Sequence, residues 1–249
     1  MKKNSAERLE KKEGKVVVTK NGPYLVSGNL PLAKEIIITD RKGDPVEWRM
    51  GGRYPRQENY LLCRCGKSKT KPYCDQTHVT VRFNGTETAS KKKYLEQAGE
   101  ITGPELVLRD YEELCATARF CHRSGGAWKL TEDSKDMKSR ETAIQEACDC
   151  PSGRLLACDR KTGRPIEPRL KKSISLVEDP QEKVSGPIWL KGGIPLESSD
   201  GTSYETRNRV TLCRCGRSRN KPFCDGSHVS VGFNDGDSTL RAGAKKVRQ

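Results

Sequence analysis

The sequence predicts an α+β fold: two small β-rich lobes with a small helical insert between them. Three observations predict it. One cysteine- and histidine-bearing stretch occurs twice, as CRCGKSKTKPYCDQTH (63–78) and CRCGRSRNKPFCDGSH (213–228), each behind a short apolar run. Between the copies, over residues 100–169, apolar residues fall at helical spacing. Apolar residues are also scarce. Hydrophobic residues are 33% of the 249, and counting glycine in place of tyrosine gives about 39%, below the roughly 45–50% of ordinary domains. Such a chain builds small lobes stapled by metal more readily than one large oily core.

Taken in order, KVVVTK (15–20) reads as a strand because its valines are β-branched. GPYLVSGNLPL follows from Gly22, and its counterpart GPIWLKGGIPL starts at Gly186. EIIITD (35–40) is another strand, in an insertion around Lys34 to Glu47 that the first copy carries. YLLCRCG and VTLCRCG lead into the cysteine–histidine stretches, and VTVRFNG and VSVGFND follow them. In the middle, LVLRDYEELCATARFCH (106–122) reads as a helix, and SRETAIQEAC (139–148) as a second, ended by Pro151. SISLV (173–177) is a strand that opens the second copy. These elements divide the chain into 1–98, 99–170 and 171–249. The flanks, Met1 to Gly14 and Arg241 to Gln249, are charged and expected to be mobile.

Composition narrows the function classes. The N-terminus lacks the apolar run of a secretory signal, so a reducing compartment, the cytoplasm, is expected. The 11 cysteines then read as metal ligands or thiols rather than disulfides. Apolar runs such as Ile36 to Ile38 are far too short to cross a bilayer, and no membrane partner is expected. A net charge of +14 suits nucleic acid, an anionic surface or an acidic protein. Aromatic residues are only 6%, which gives single strands few stacking platforms. No nucleophile motif, phosphate-binding glycine loop or paired carboxylate stands out, so no enzyme is expected beyond a redox component.

Both stretches read C-x-C, eight residues, C, three residues, H. A cysteine and a histidine four apart share one side of a helical turn and can face one centre. Asp75 and Asp225 suit the cap of that helix, and Gly66 and Gly216 the tight turn after C-x-C. Structural zinc accepts three cysteines and one histidine but usually takes C-x-x-C or longer. A two-iron cluster also needs four ligands, and a wider centre suits one pair from a loop and one from a helix. Spacing favours the cluster and leaves zinc, with a basic nucleic-acid-binding module around it, as the alternative.

The pattern C-x-C-x-x-S-x-x-x-P-x-C-D-G-S-H resembles the CDGSH iron–sulfur domain, typified by mitoNEET. The second copy matches throughout: Cys213, Cys215, Ser218, Pro222, Cys224, Asp225, Gly226, Ser227 and His228. The first has Cys63, Cys65, Ser68, Pro72, Cys74, Asp75, Thr77 and His78, with Gln76 where the family usually has glycine, a departure that strains the turn. The resemblance implies one 2Fe–2S cluster per copy. Cys63 and Cys65 would hold one iron and Cys74 and His78 the other; Cys213 and Cys215 would stand opposite Cys224 and His228. It also implies an intramolecular pseudo-dimer, since tandem members fold two motifs together, and the repeated GP strands give each half an edge to exchange. A monomer is therefore expected.

Imidazole brings no charge where thiolate brings one, so a histidine ligand makes reduction easier. It is also protonatable, which couples potential, proton binding and cluster release. Electron transfer and cluster donation both follow. Each loop carries four matched cations, Arg64 with Arg214, Lys67 with Arg217, Lys69 with Arg219 and Lys71 with Lys221. They read as a solvated face or as a guide for an acidic redox or cluster-acceptor protein.

Five cysteines remain: Cys115, Cys121, Cys148, Cys150 and Cys158. LCATARFCH and CDCPSGRL resemble the divergent mono-cluster ferredoxin-like segment found beside CDGSH motifs in some microbial proteins. Cys115, Cys121, Cys148 and Cys150 are the candidates for a third iron–sulfur cluster, with Cys158 free. Buried structural thiols are the alternative.

Overall fold

The structure, a computed structural model, describes residues 14–241. Apart from Gly14 and Arg241, the flanks expected to be mobile lie outside the described residues. In chain order the elements are β1 (Lys15–Val18), β2 (Tyr24–Ser27), β3 (Leu32–Thr39), β4 (Pro45–Arg53), β5 (Asn59–Leu62) and α1 (Thr77–Thr80). The middle follows with β6 (Gly99–Thr102), β7 (Leu106–Asp110), α2 (Ala127–Glu132), α3 (Met137–Asp149), β8 (Leu155–Asp159) and β9 (Pro165–Ile166). The last part contains β10 (Ser173–Asp179), β11 (Val184–Lys191), β12 (Leu196–Glu197), β13 (Arg209–Leu212) and α4 (Ser227–Ser230). No described helix is long and apolar enough to cross a membrane.

The two halves are interlocked. One sheet runs β12–β1–β2–β5 and a second runs β13–β11–β10–β3–β4. Each half thus builds an antiparallel three-stranded meander and accepts a parallel strand from the other half. β3 lies beside β10 in register Ile174↔Leu32, and β12 beside β1 in register Val16↔Leu196. The exchange is reciprocal: Ile174 N donates to Pro31 O (2.8 Å) and Val16 N to Pro195 O (2.9 Å). The two prolines are the matched ones in the GP segments, which turn each chain out of its own sheet. Apolar faces from both halves meet in one cluster, with Tyr24, Leu32 and Leu62 beside Ile174, Ile188 and Leu212. Pooling explains how a chain poor in apolar residues closes a core: neither half buries enough alone.

The middle lobe holds the expected helical region, α2 and α3, but one of the two helices read from the sequence is absent. Residues 106–122 are not a helix. Leu106 and Leu108 are fully buried on one face of β7 while Val107 and Arg109 are not, a two-residue alternation. Beyond it Thr117 (φ 51°) and Arg119 (φ 65°) take left-handed backbone that no right-handed helix can propagate. The lobe is an antiparallel sheet, β6–β7–β8–β9, backed by α2 and α3, and Leu108, Ala127, Ala147 and Leu155 form its core. The α3 helix covers the predicted second helix, with Asp136 accepting from Ser139 N at 2.8 Å to cap its start.

Two features fasten the middle lobe to the flanking halves. Trp48, on the inserted hairpin β3–β4, stacks on Phe120 (4.7 Å) and tilts against Trp189 (4.9 Å). Arg209 of β13 is 1% exposed and reaches the end of α3, donating to the carbonyls of Ala147 (2.6 Å), Cys148 (2.9 Å) and Cys150 (2.8 Å) while pairing with Glu167 (3.0 Å). These carbonyls end a helix where few amides remain: Ala147 O takes Cys150 N and Cys150 O takes Gly153 N, both only at 3.3 Å, and the buried guanidinium supplies the shorter bonds.

Removing that guanidinium strips the three carbonyls of their shortest hydrogen bonds and Glu167 of its buried cation. Arg209→Met should cost about 3 kcal/mol, and a thermal scan should place its midpoint about 6–12 °C below wild type. A second variant tests Glu146 of α3, which is fully buried with neither carboxyl oxygen in a normal hydrogen bond. Burial pushes this carboxyl up to about 7 from 4.5. The folded state then keeps a proton that the unfolded chain loses between those pH values, so the penalty grows as pH rises through that window. Glu146→Gln should raise the midpoint at pH 8 by about 4 °C and change it little at pH 4.5.

Candidate metal centres

In each half the C-x-C pair leaves the end of a strand, β5 or β13, and the loop returns beside it. Cys63 N donates to Pro72 O (2.8 Å) and Cys74 N to Leu61 O (2.9 Å); Cys213 N and Cys224 N repeat this with Pro222 O and Thr211 O, both at 2.9 Å. Inside the loop, Ser68 and Ser218 donate to the carbonyls of Tyr73 (2.6 Å) and Phe223 (2.7 Å). Asp75 accepts from Lys69 N (2.8 Å) and Thr77 N (3.0 Å), and Asp225 from Arg219 N and Ser227 N at the same distances. Each aspartate thus ties the loop to the short helix that carries the histidine.

These ties fix the donors as pairs. Cys63 Sγ and Cys65 Sγ are 3.8 Å apart, Cys213 Sγ and Cys215 Sγ 3.7 Å. Cys74 Sγ lies 3.4 Å from His78 Nδ1, and Cys224 Sγ 3.4 Å from His228 Nδ1. Two thiolates on one tetrahedral metal at about 2.3 Å stand about 3.8 Å apart, and a thiolate and an imidazole nitrogen about 3.5 Å. Every pair therefore stands at the spacing of two ligands on one metal. No three of the four donors at either centre lie within 4.8 Å of one another. A donor set made of two such separated pairs fits a group with two metals.

The two centres differ in their surroundings. His228 is buried, at 4% exposure, whereas His78 is half-buried. Burial, with help from Arg214, lowers the His228 imidazole to about 4, which keeps it neutral at pH 7. Burial likewise raises the Cys224 thiol and pushes Cys65 up to about 11. The cover over the second centre comes from the middle lobe: Asn220 donates to Glu113 O (2.9 Å), and Arg119 pairs with Asp179 (2.5 Å). Between these clamps the 115–119 loop lies on Gly226, where an added Cβ would come within 2.6 Å of Thr117 Cγ2. Gly226 sits at φ 83°, and Gln76 occupies the same left-handed turn at φ 67° with its side chain exposed. The strain expected from the sequence is present.

The four cation pairs also divide. Arg64 and Arg214 are buried, at 1% and 4% exposure, not part of a solvated face. Arg214 pairs with Glu178 (2.6 Å) and with Asp235, whereas Arg64 donates to Gly85 O (2.6 Å) and Thr19 O (3.4 Å) and meets no carboxylate among the described residues. Lys71 and Lys221 are held by the carbonyls of Ser68 and Ser218. Only Lys67 with Arg217 and Lys69 with Arg219 point freely to solvent. The trio Glu178, Asp235 and Asp237 converges, but Arg214 and Lys34 already neutralise it.

In the middle lobe the thiols do not group as the spacing suggested. Burial, then the nearby Cys150 and Cys115, push Cys121 up to about 12, so these three stand within electrostatic reach of one another. Cys148 faces elsewhere, 3.6 Å from Ile166 O, with Arg209 and Glu167 as its charged neighbours. Residues two apart at a helix end project to opposite sides, which separates Cys148 from Cys150. Cys158 lies buried in β8, away from the group. Cys115 also reaches Cys224 electrostatically, so the middle thiols adjoin the second centre.

A β-rich, interlocked pair of cysteine–histidine centres fits an iron–sulfur protein, and the family comparisons identify one. The family described as iron-binding zinc finger CDGSH type matches residues 21–79 and 185–229, and the family described as divergent 4Fe-4S mono-cluster matches 101–160. The chain is a tandem CDGSH-type iron–sulfur protein with a divergent 4Fe-4S mono-cluster segment between its two CDGSH segments. No curated protein and no solved structure matches it.

The left-handed turn at Gln76 gives a direct test. Gln76→Gly should relieve about 1 kcal/mol of backbone strain and raise the thermal midpoint by about 2–4 °C. Gly226→Gln should lower it, because the new side chain meets Thr117.

Proposed function

We propose that the protein holds two 2Fe–2S clusters and works in electron transfer or cluster donation. Cys63, Cys65, Cys74 and His78 would hold the first, and Cys213, Cys215, Cys224 and His228 the second. The observation that carries this reading is the donor geometry: two pairs per centre, each at single-metal spacing, with no three donors of a centre within 4.8 Å of one another. A bound 2Fe–2S cluster supplies a one-electron couple. The chain's own residues set its surroundings. Neutral histidines reduce the negative charge placed on each centre, and unpaired Arg64 favours added electron density at the first. Arg214 offers the second less, because Glu178 and Asp235 already balance it.

Exposure divides the labour between centres. His78 and Cys74 are half-buried and face solvent, which suits exchange with a partner; His228 and Cys224 lie under the middle lobe, which suits retention. Cys115, Cys121 and Cys150 would hold a third cluster, with Cys148 a structural thiol. The cytoplasm remains the expected compartment and a redox or cluster-acceptor protein the expected partner.

Metal and sulfide analysis of protein purified without oxygen tests the reading. At least four irons and four sulfides per chain, with visible absorbance, are expected; stoichiometric zinc and a colourless protein would reject it. Replacing Cys115 and Cys121 by serine should remove any iron beyond four and leave the 2Fe–2S spectrum intact. Cys148→Ser should remove none, and equal losses in both variants would return Cys148 to the ligand set.

A further inference from the structure

Where the halves meet, the two C-x-C-G loops touch. A Cβ at Gly66 would come within 2.6 Å of Cys215 O, and one at Gly216 within 2.6 Å of Cys65 O. This reciprocal contact forms the floor of a groove of 630 Å³, with Cys65 of the first centre on one side and Gly216 on the other. Its walls carry five cations and no carboxylate. One, Lys221, is held by Ser218 O at 2.5 Å. The side chains of Lys67, Arg82, Arg217 and Arg219 are exposed and make no ion pair or hydrogen bond among the described residues. Four like charges kept together without counter-charge raise each other's energy, and an anionic surface relieves it.

The groove is one-sided although the frame is twofold. Behind the first histidine the chain reads VRFNGTET; behind the second it reads VGFNDGDS. Gly232 thus replaces Arg82, Asp235 replaces Gly85 and Asp237 replaces Glu87. On the second side these aspartates are bound to Arg214 and Lys34. On the first side Gly85 leaves room for its carbonyl to take Arg64, and Arg82 faces out. Thr88 then lays the segment along the second loop, its N and Oγ1 donating to Lys221 O (2.8 Å) and Arg219 O (2.6 Å). Cations from both halves therefore surround a single opening, next to the more exposed centre.

We infer that this groove docks the carboxylate-rich surface of an acidic protein partner, placing that partner against Cys65 of the first centre. The partner's role rests on the transfer function proposed above; the groove's charge does not. Its width and open form suit a row of carboxylates on a protein surface, and the long cations at its rim can follow such a surface.

The test uses full-length protein purified without oxygen and a fluorescent ten-glutamate peptide, with anisotropy read at low salt. Arg82→Gly with Arg217→Gln and Arg219→Gln should weaken binding about tenfold or more. A control with Arg41→Gln, Lys42→Gln and Lys183→Gln removes the same charge from the turns of the β3–β4 and β10–β11 hairpins and should weaken it about twofold at most. Equal weakening in the two variants, or none in the first, overturns the docking site. Displacement of the peptide by equimolar inorganic tripolyphosphate overturns it too, in favour of a small-anion site. The visible spectrum of each sample keeps the two readings apart. Coloured protein with a failed groove variant rejects the docking alone, whereas colourless wild type rejects the clusters and leaves the peptide titration to judge the groove.

Discussion

Everything in this molecule depends on two short parallel pairings, β3 with β10 and β1 with β12. They join residues far apart in the chain, and closing such a connection costs entropy that local contacts cannot repay. The repayment comes from the pooled core, where tyrosines and aliphatic residues of both halves pack together. Because the first half lends the β3–β4 hairpin and borrows β12, neither sheet is complete without the other half. The cluster loops hang from the ends of β5 and β13, so their mutual approach at Gly66 and Gly216 follows from the sheets rather than from any contact of their own.

On that symmetric frame the sequence places unequal chemistry. Gln76 stands in a left-handed turn where Gly226 stands in its mate. Arg64 is buried against carbonyls where Arg214 is buried against two carboxylates. The middle lobe then adds the largest difference by covering one centre only. A duplicated unit supplies geometry twice, and the substitutions divide it into an open site and a closed one.

The parts of this arrangement readable from sequence are those fixed by local offsets. The cysteine–histidine spacing sets each donor pair because a loop and a single helical turn have few ways to place it. The strands KVVVTK, EIIITD and SISLV were legible because β-branched runs signal extended backbone. Tertiary choices left no such mark. The run 106–122 carries apolar residues compatible with a helix, yet Leu106–Asp110 pair as β7 and Thr117 and Arg119 turn left-handed beyond it. The pair Cys148 and Cys150 looks like one ligand set in a line of letters, yet the end of α3 sends the two thiols apart. Arg209 gave no signal at all, since a buried arginine that caps a helix 60 residues away resembles any other basic residue of a basic chain.

The loop pinned between Asn220 and Asp179 also sets an order of events in the protein's maturation. Cys224 and His228 lie beneath it, and Thr117 rests on the turn between them. Whatever delivers metal and sulfide to this centre must arrive before the middle lobe settles, or must lift it again. The first centre has no such deadline, since Cys74 and His78 stay half-exposed in the finished molecule. A chain made with the middle lobe already closed would therefore mature on one side only, and the half-loaded form would be a product of timing rather than of affinity.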